Sequence, residues 1–573
     1  MGKSSSNNLS KNTKMHSKTP KRSLVKIPLT EKDVIPHPFI LFGVVCILCT
    51  FIFDKSKHLL FNAIPVAIVG FLLLLIPLGI LAYKKKLNAN NVLILILIAG
   101  FILRLCYVLY TNVNVFNITA DNIYGETYKE RQHDLWSFQN VFNGGKGHAA
   151  YILYFFENGL KLPDFDPRIV NQFYHPPLHH MISAVWMRIL SFFGFSFERI
   201  ITSLQFLPLY YSTISMILCC KLFKELQLRY AGLVVATSLI AFHPTFIILA
   251  GSINNDMLSI TFMIAAIYNT VVWYKNPNFK RIIFIALSIG LGMLTKLSVA
   301  LIAPPIAVVF LIKLIEVIRS QKSENGLVGK TTTKGVILQY IVFGFVCVPL
   351  GLSYAIRNFI KFRVPLTYVQ MLSPELDQYI GEYSVFERFF SFADHPLSSP
   401  FLAVGESNMS TYHEYNPIIA FLKTSVFGEY TLSDYRIALA PDAVHILSFV
   451  LFWVNAIICI ASLSMMVYVL IKKSDVLKLP TKMLLGGTYF LTLGSFMKFS
   501  IDYPHTCSQD FRYAVITLVI GAFAVGYFTE NIYRKGSVNR WKKSTAEIAS
   551  LTGIYLLTAL FCLLSTIIYL MIQ

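Results

Sequence analysis

Two short stretches hold the residue types that could do chemistry. They are Arg131-Gln132-His133-Asp134 and, further along, Tyr174-His175-Pro176-Pro177-Leu178-His179-His180. Asp134 and His133 supply a carboxylate with an imidazole beside it, the types needed for proton abstraction and for orienting a reacting group. In a partly apolar loop the Asp134 carboxylate would be desolvated, and its raised proton affinity suits a general base. His175 stands before a Pro-Pro helix entry, where the unpaired N–H groups of a first turn point outward and favour an anion. His133, Glu157 and His175 also offer ligands for a divalent metal, although their spacing matches no zinc pattern. The bland alternatives weigh about as much: a solvated loop acid, and histidines near lipid headgroups.

Further along, Asn254-Asn255-Asp256 lies between two apolar runs. Polar groups at membrane depth tend to serve a function, and the same triplet would also cap the helix that follows. Arg104, Lys296, Arg357, Lys361, Lys498 and Arg512 lie in or at the ends of apolar segments. A charge there costs roughly 2.5 kcal/mol or more unless it is paired or solvated. Their gathering near one face implies an anionic ligand between helices, and the arginine fork suits phosphate. Snorkelling to the interface accounts for about half of them.

The elements that must position these residues are membrane helices. The chain has 573 residues, of which 55% are hydrophobic and 14% charged, and its mean hydropathy is +0.59. Soluble domains carry about 25% charged residues. Apolar runs of about 20 residues recur, each long enough to span a bilayer, whereas a β-barrel would show short alternating segments. The class is therefore an all-α polytopic membrane protein. The net charge of +20 does not indicate nucleic acid. Its excess sits in the N-terminal tail and in loops between apolar runs, as the positive-inside rule expects. Of nine cysteines only Cys507 falls in a polar loop, and no disulfide framework or zinc spacing is visible.

The organisation reads as follows. Residues 1–37 form a disordered basic cytoplasmic tail, and 38–90 an extra transmembrane hairpin ending at Lys84-Lys85-Lys86. Residues 91–356 form a core whose first external loop, 111–177, carries the candidate catalytic residues. A second large external loop follows at 357–442, and membrane helices complete 443–573. The total is roughly 11 to 13 crossings, with the N-terminus inside and the C-terminus outside. Residues 178–195 are expected to return into the membrane. With that crossing, charge cannot place both Lys221–Arg229 and Lys280-Arg281 inside while Gly251–Asp256 stays outside, so one segment here does not span. The run 281–314 is expected to divide into two crossings that meet at the outer face near Lys296.

Several motifs together resemble the GT-C superfamily of polyprenyl-phosphate-sugar-dependent glycosyltransferases, close to protein O-mannosyltransferases and the lipid A aminoarabinose transferase. They are Arg131-Gln132-His133-Asp134, Phe173-Tyr174-His175-Pro176-Pro177-Leu178, Gly251-Ser252-Ile253-Asn254-Asn255-Asp256, Gly292-Met293-Leu294-Thr295-Lys296, Lys423-Thr424-Ser425-Val426-Phe427-Gly428-Glu429 and Asp510-Phe511-Arg512-Tyr513. The resemblance covers residues 91–530. It implies a GT-C fold with short helices in the two external loops. It also implies inverting transfer of a sugar from undecaprenyl or dolichyl phosphate to an acceptor hydroxyl, with Asp134 as base and His133 beside it. Donor phosphate contacts then fall to His175, Lys296, Arg357, Arg512 and Arg104, and substrate contacts to Tyr174, Asn255, Asp256 and Glu429. The family often has an acidic pair where His133-Asp134 stands here, and a lysine where His175 stands. The competing function is a transporter or flippase of a lipid-linked or anionic substrate, which would need ionisable residues along a path through the midplane.

Overall fold

The computed structural model describes residues 37–55, 59–85, 88–111, 147–170, 172–322, 332–376, 378–392, 397, 399–402, 414–429, 442–474, 477–538 and 544–571. The helices follow from long apolar runs that must satisfy their backbone groups internally in lipid. Among the described residues there is no strand, only an isolated bridge between Tyr379 and His505. Among the described residues nine helical segments are long and apolar enough to cross a membrane, ten counting one bent pair. The chain is a multi-pass integral membrane protein.

The first elements are α1 (His37–Ile52), α2 (Leu59–Tyr83) and α3 (Ala89–Tyr110). Two short helices follow, α4 (Gly147–Glu157) and α5 (Leu178–Phe192). With 15 residues, α5 is about 22 Å long, too short for a hydrocarbon core of about 30 Å. It is not one of the spanning candidates, contrary to the expected return at 178–195. The crossing is made instead by α6 (Phe197–Ser203) running into α7 (Phe206–Glu225), and then by the bent pair α8 (Ala231–Ala241) and α9 (Pro244–Gly251). Next come α10 (Asp256–Lys275) and α11 (Phe279–Thr295). With α5 removed from the count, successive crossings put Lys221–Arg229 and Lys280-Arg281 on one face and Gly251–Asp256 on the other. The conflict seen in the sequence disappears.

The remaining helices are α12 (Ala303–Lys322), entered through a 3-10 turn at Leu297–Ile302, α13 (Thr333–Phe362), α14 (Val385–Phe390), α15 (Pro417–Phe427), α16 (Asp442–Ile471), α17 (Leu479–Asp502), α18 (Val515–Val538) and α19 (Thr545–Met571). The division near Lys296 is as expected: α11 ends at Thr295 and Lys296 turns to extended backbone. If α1 and α11, at 16 and 17 residues, and the more polar 24-residue α17 are added, the spans reach the upper end of the expected range.

The bend between α8 and α9 is 42° and has a local cause. Pro244 has no N–H for the carbonyl of Ile240. The N–H of Thr245, which would serve Ala241, goes to His243 Nδ1 at 3.3 Å. Arg104 of α3 replaces both donors, reaching Ala241 O at 2.6 Å and Ile240 O at 3.1 Å. A close helix crossing holds the other end of α8. A Cβ added at Gly232 would lie 2.1 Å from the carbonyl oxygen of Gly526 in α18, so only glycine fits there.

Candidate functional site

The ends of several helices surround a cavity of about 530 Å³. Its polar end is built by His148 at the start of α4, by Gln172, Tyr174 and His175 ahead of α5, by Asn255 and Asp256 at the start of α10, and by Lys296, Arg512 and Tyr513. Its apolar end is formed by Leu297, Ala300, Leu301 and Pro304 on one side and Leu491, Phe496 and Phe499 of α17 on the other. Tyr368, after α13, closes a further wall.

Each polar group is positioned by local structure. Asn254 Oδ1 accepts the Asp256 N–H at 3.0 Å and opens α10. Asn255 Nδ2 donates to Thr295 O at 3.0 Å, tying this turn to the end of α11. Asp256 is the first residue of α10, where the helix dipole favours a carboxylate. Lys296, just past α11, forms an ion pair with Asp256 and lies 4.9 Å from the Tyr513 ring centroid. Arg512 pairs with Glu429 at 3.0 Å, and its own N–H donates to Asp510 Oδ1 at 2.8 Å.

His148 and His175 line another wall of the cavity, with His180 packed behind them. The His148 ring stacks at 5.3 Å on His175 and at 5.2 Å on His180, with interplanar angles of 19° and 14°. His148 Nδ1 and His180 Nε2 are 2.9 Å apart, one donating to the other. Burial pulls His175 down to about 3, with Lys296 opposing its charge as well. Burial likewise pulls His148 well below the usual histidine value, with His180 beside it. The wall is therefore neutral and can donate hydrogen bonds without adding charge.

This arrangement has the shape of an amphiphile site: two cations and neutral N–H donors at one end, an aliphatic and aromatic trough at the other. Residues 174–328 match the family described as dolichyl-phosphate-mannose-protein mannosyltransferase. Among solved structures, the archaeal oligosaccharyltransferase AglB from Archaeoglobus fulgidus, in complex with an inhibitory peptide and a dolichol-phosphate, aligns at 11% identity. That alignment covers 83% of this chain and 55% of that one, with a TM-score of 0.41. ArnT from Cupriavidus metallidurans, in the apo state, aligns at 12% identity over 74% of this chain and 70% of that one, with a TM-score of 0.40. The chain thus spans 55% of the length of the oligosaccharyltransferase. No curated protein sequence matches it.

Of the residues that the sequence singles out, Tyr174, His175, Asn255, Asp256, Lys296 and Arg512 line this cavity, and Glu429 holds Arg512. His133 and Asp134 lie outside the described residues. Three others sit elsewhere. The guanidinium of Arg104 is fully buried and spent on Gly100 O, Ala241 O, Ile240 O and Ser212 Oγ, so it serves the bent helix and not a phosphate. Arg357 reaches Pro163 O and, at 2.9 Å, Asn358 Oδ1, and it clamps the loop after α4 without lining the cavity. Glu157 ends α4 and also lies off the cavity. Among the described residues no group of three His, Cys, Asp or Glu is arranged to hold a metal. The parallel stacking of His148, His175 and His180 explains part of this, because stacked rings do not aim their nitrogens at one point. Lys361 pairs with Asp164, and Lys498 with Asp502 at 2.7 Å.

Sequence reasoning missed His148, Tyr368 and the Phe496/Phe499 wall. His148 carried a weak signal: it opens the apolar stretch 149–156 within the first external loop. Tyr368 and the phenylalanines carried none, since aromatics in apolar runs are ordinary core.

Proposed function

We propose that this protein is a glycosyltransferase that moves a sugar from a polyprenyl-phosphate donor to an acceptor hydroxyl at the extracytoplasmic face, with inversion. The observation that carries this reading is the cavity's division into a polar end that holds Lys296 and Arg512, paired with Asp256 and Glu429, and an apolar end at Leu297–Pro304 and Leu491–Phe499. A donor phosphate fits the first and a prenyl chain the second. The family match over residues 174–328 supports the same class.

In this mechanism the acceptor oxygen attacks the anomeric carbon, the bond from that carbon to the phosphate oxygen breaks, and Asp134 takes the acceptor proton. The departing phosphate gains negative charge. Lys296 and Arg512 stabilise it in a site partly shielded from water, where such contacts are worth more than in bulk solvent. His175, kept neutral, donates a hydrogen bond. Asp256 holds Lys296 in place before the donor arrives. The extracytoplasmic assignment rests on charge: Lys84-Lys85, Lys221–Arg229, Lys280-Arg281, Lys334 and Lys472-Lys473 all lie at the face opposite the cavity.

The test is transfer from, and binding of, polyprenyl phosphates by protein reconstituted in nanodiscs. Wild type should bind undecaprenyl or dolichyl phosphate, and Asp134→Asn should bind it equally well while turnover collapses. Retained turnover in that variant would remove Asp134 as the base. Absence of lipid-phosphate binding would remove the whole reading.

A further inference from the structure

Lys55, in the turn after α1, is 1% exposed. Its ammonium donates to Gln205 Oε1 and lies 6.0 Å from the Phe206 ring centroid. The adjacent carboxylate, Asp54, faces Arg199 instead, at 3.9 Å. Among the described residues Lys55 has no ion pair. A buried ammonium without a counter-charge is expensive, and burial pulls Lys55 well below the usual lysine value. Such a residue calls for a reason beyond packing.

Its partner supplies one. Gln205 Nε2 donates to Gly251 O at 2.8 Å and approaches Thr111 Oγ1 at 3.4 Å. Gly251 opens the turn that delivers Asn255 and Asp256 to the cavity. Thr111 is the residue that follows the end of α3. The junction is tight: a Cβ at Gly251 would lie 2.9 Å from the Tyr107 ring and 3.3 Å from Thr111 Oγ1.

We propose that Lys55 is a positioning residue, fixing through Gln205 the turn that brings Asn255 and Asp256 to the cavity. The α1–α2 hairpin is then part of the catalytic unit and not an accessory anchor. The inference rests on the donor-site reading given under Proposed function.

A merely structural Lys55 makes the opposite prediction. Replacing Lys55 by an apolar group of similar length removes a buried charge but leaves Gln205 Oε1 without its donor, two effects on stability that oppose each other, with no effect on a ligand elsewhere. The experiment compares wild type, Lys55→Met, Lys55→Arg, Gln205→Met and the double Lys55→Met/Gln205→Met variant in nanodiscs. Three quantities are read: the melting midpoint, the dissociation constant for undecaprenyl phosphate, and backbone hydrogen exchange over residues 252–256. Lys55→Met should melt near the wild-type midpoint, bind undecaprenyl phosphate about tenfold more weakly, and exchange faster over 252–256. Lys55→Arg should restore affinity, and the double variant should be no weaker than either single one. Wild-type affinity in Lys55→Met overturns the proposal. If Lys55→Met does not fold, Gln205→Met cuts the same link, and wild-type affinity there overturns it too. If wild type itself fails to bind undecaprenyl phosphate, the donor-site reading is what has failed. The positioning role is then decided by exchange alone, and unchanged rates over 252–256 overturn it.

Discussion

Arg104 and Arg512 are the same residue type put to opposite uses. In the sequence each is a cation beside apolar residues, and each suggests a phosphate contact. Only Arg512 faces the cavity. Arg104 replaces N–H donors lost at Pro244, a residue far from it in sequence, so nothing near Arg104 betrays its role. The two separate by experiment. Arg512→Lys keeps the charge opposite Glu429 but loses the two-pronged donor. It should weaken lipid-phosphate binding about tenfold, the worth of one charged hydrogen bond, and leave the melting midpoint near wild type. Arg104→Met leaves the carbonyls of Ile240 and Ala241 bare in the protein interior. It should cost about 2–4 kcal/mol of stability, seen as a lower melting midpoint, with wild-type affinity in the folded fraction.

At the scale of elements, α5 and its approach carry His175, His179 and His180 against His148 of α4. Burial lowers all four, His175 to about 3 and His179 to about 4. Unfolded histidine titrates near 6.5. Below that pH the unfolded chain therefore binds more protons than the folded one, and stability is lost as pH falls from about 6.5 towards 4. Glu157 acts the other way. Burial raises it to about 7, so its contribution declines as pH rises from the ordinary glutamate value to about 7. Four imidazoles outweigh one carboxyl. The melting midpoint in detergent should be flat above pH 7 and fall on acidification, and His179→Gln should shallow that fall. A midpoint insensitive to pH between 7 and 4.5 would show that the histidine wall is not buried. The Pro176-Pro177 entry to α5 is legible in the sequence. Its failure to cross is not, because apolar content does not distinguish a helix in the membrane from one packed against other short helices.

At the scale of the molecule, the hairpins place the basic residues on one face and the cavity on the other. Side-specific labelling tests this. In a Cys507→Ser background, Glu382→Cys should react with a membrane-impermeant maleimide from outside intact cells, and Lys334→Cys only after permeabilisation. The reverse pattern would put the cavity in the cytoplasm and end the extracytoplasmic assignment.

Hydropathy and charge are local properties, and they were enough to make this an all-helical membrane protein. They placed the break at Lys296, marked Asn254–Asp256 as more than a loop, and pointed to an anionic lipid ligand. Which cations share a cavity is a property of packing between segments far apart in sequence. Only the tertiary structure brought Lys296, Arg512, Asp256 and His175 together, added His148, assigned Arg104 and Arg357 to backbone carbonyls, and joined Lys55 to Gln205. A buried charge must find some partner, and the choice between ligand and carbonyl depends on which helix ends meet.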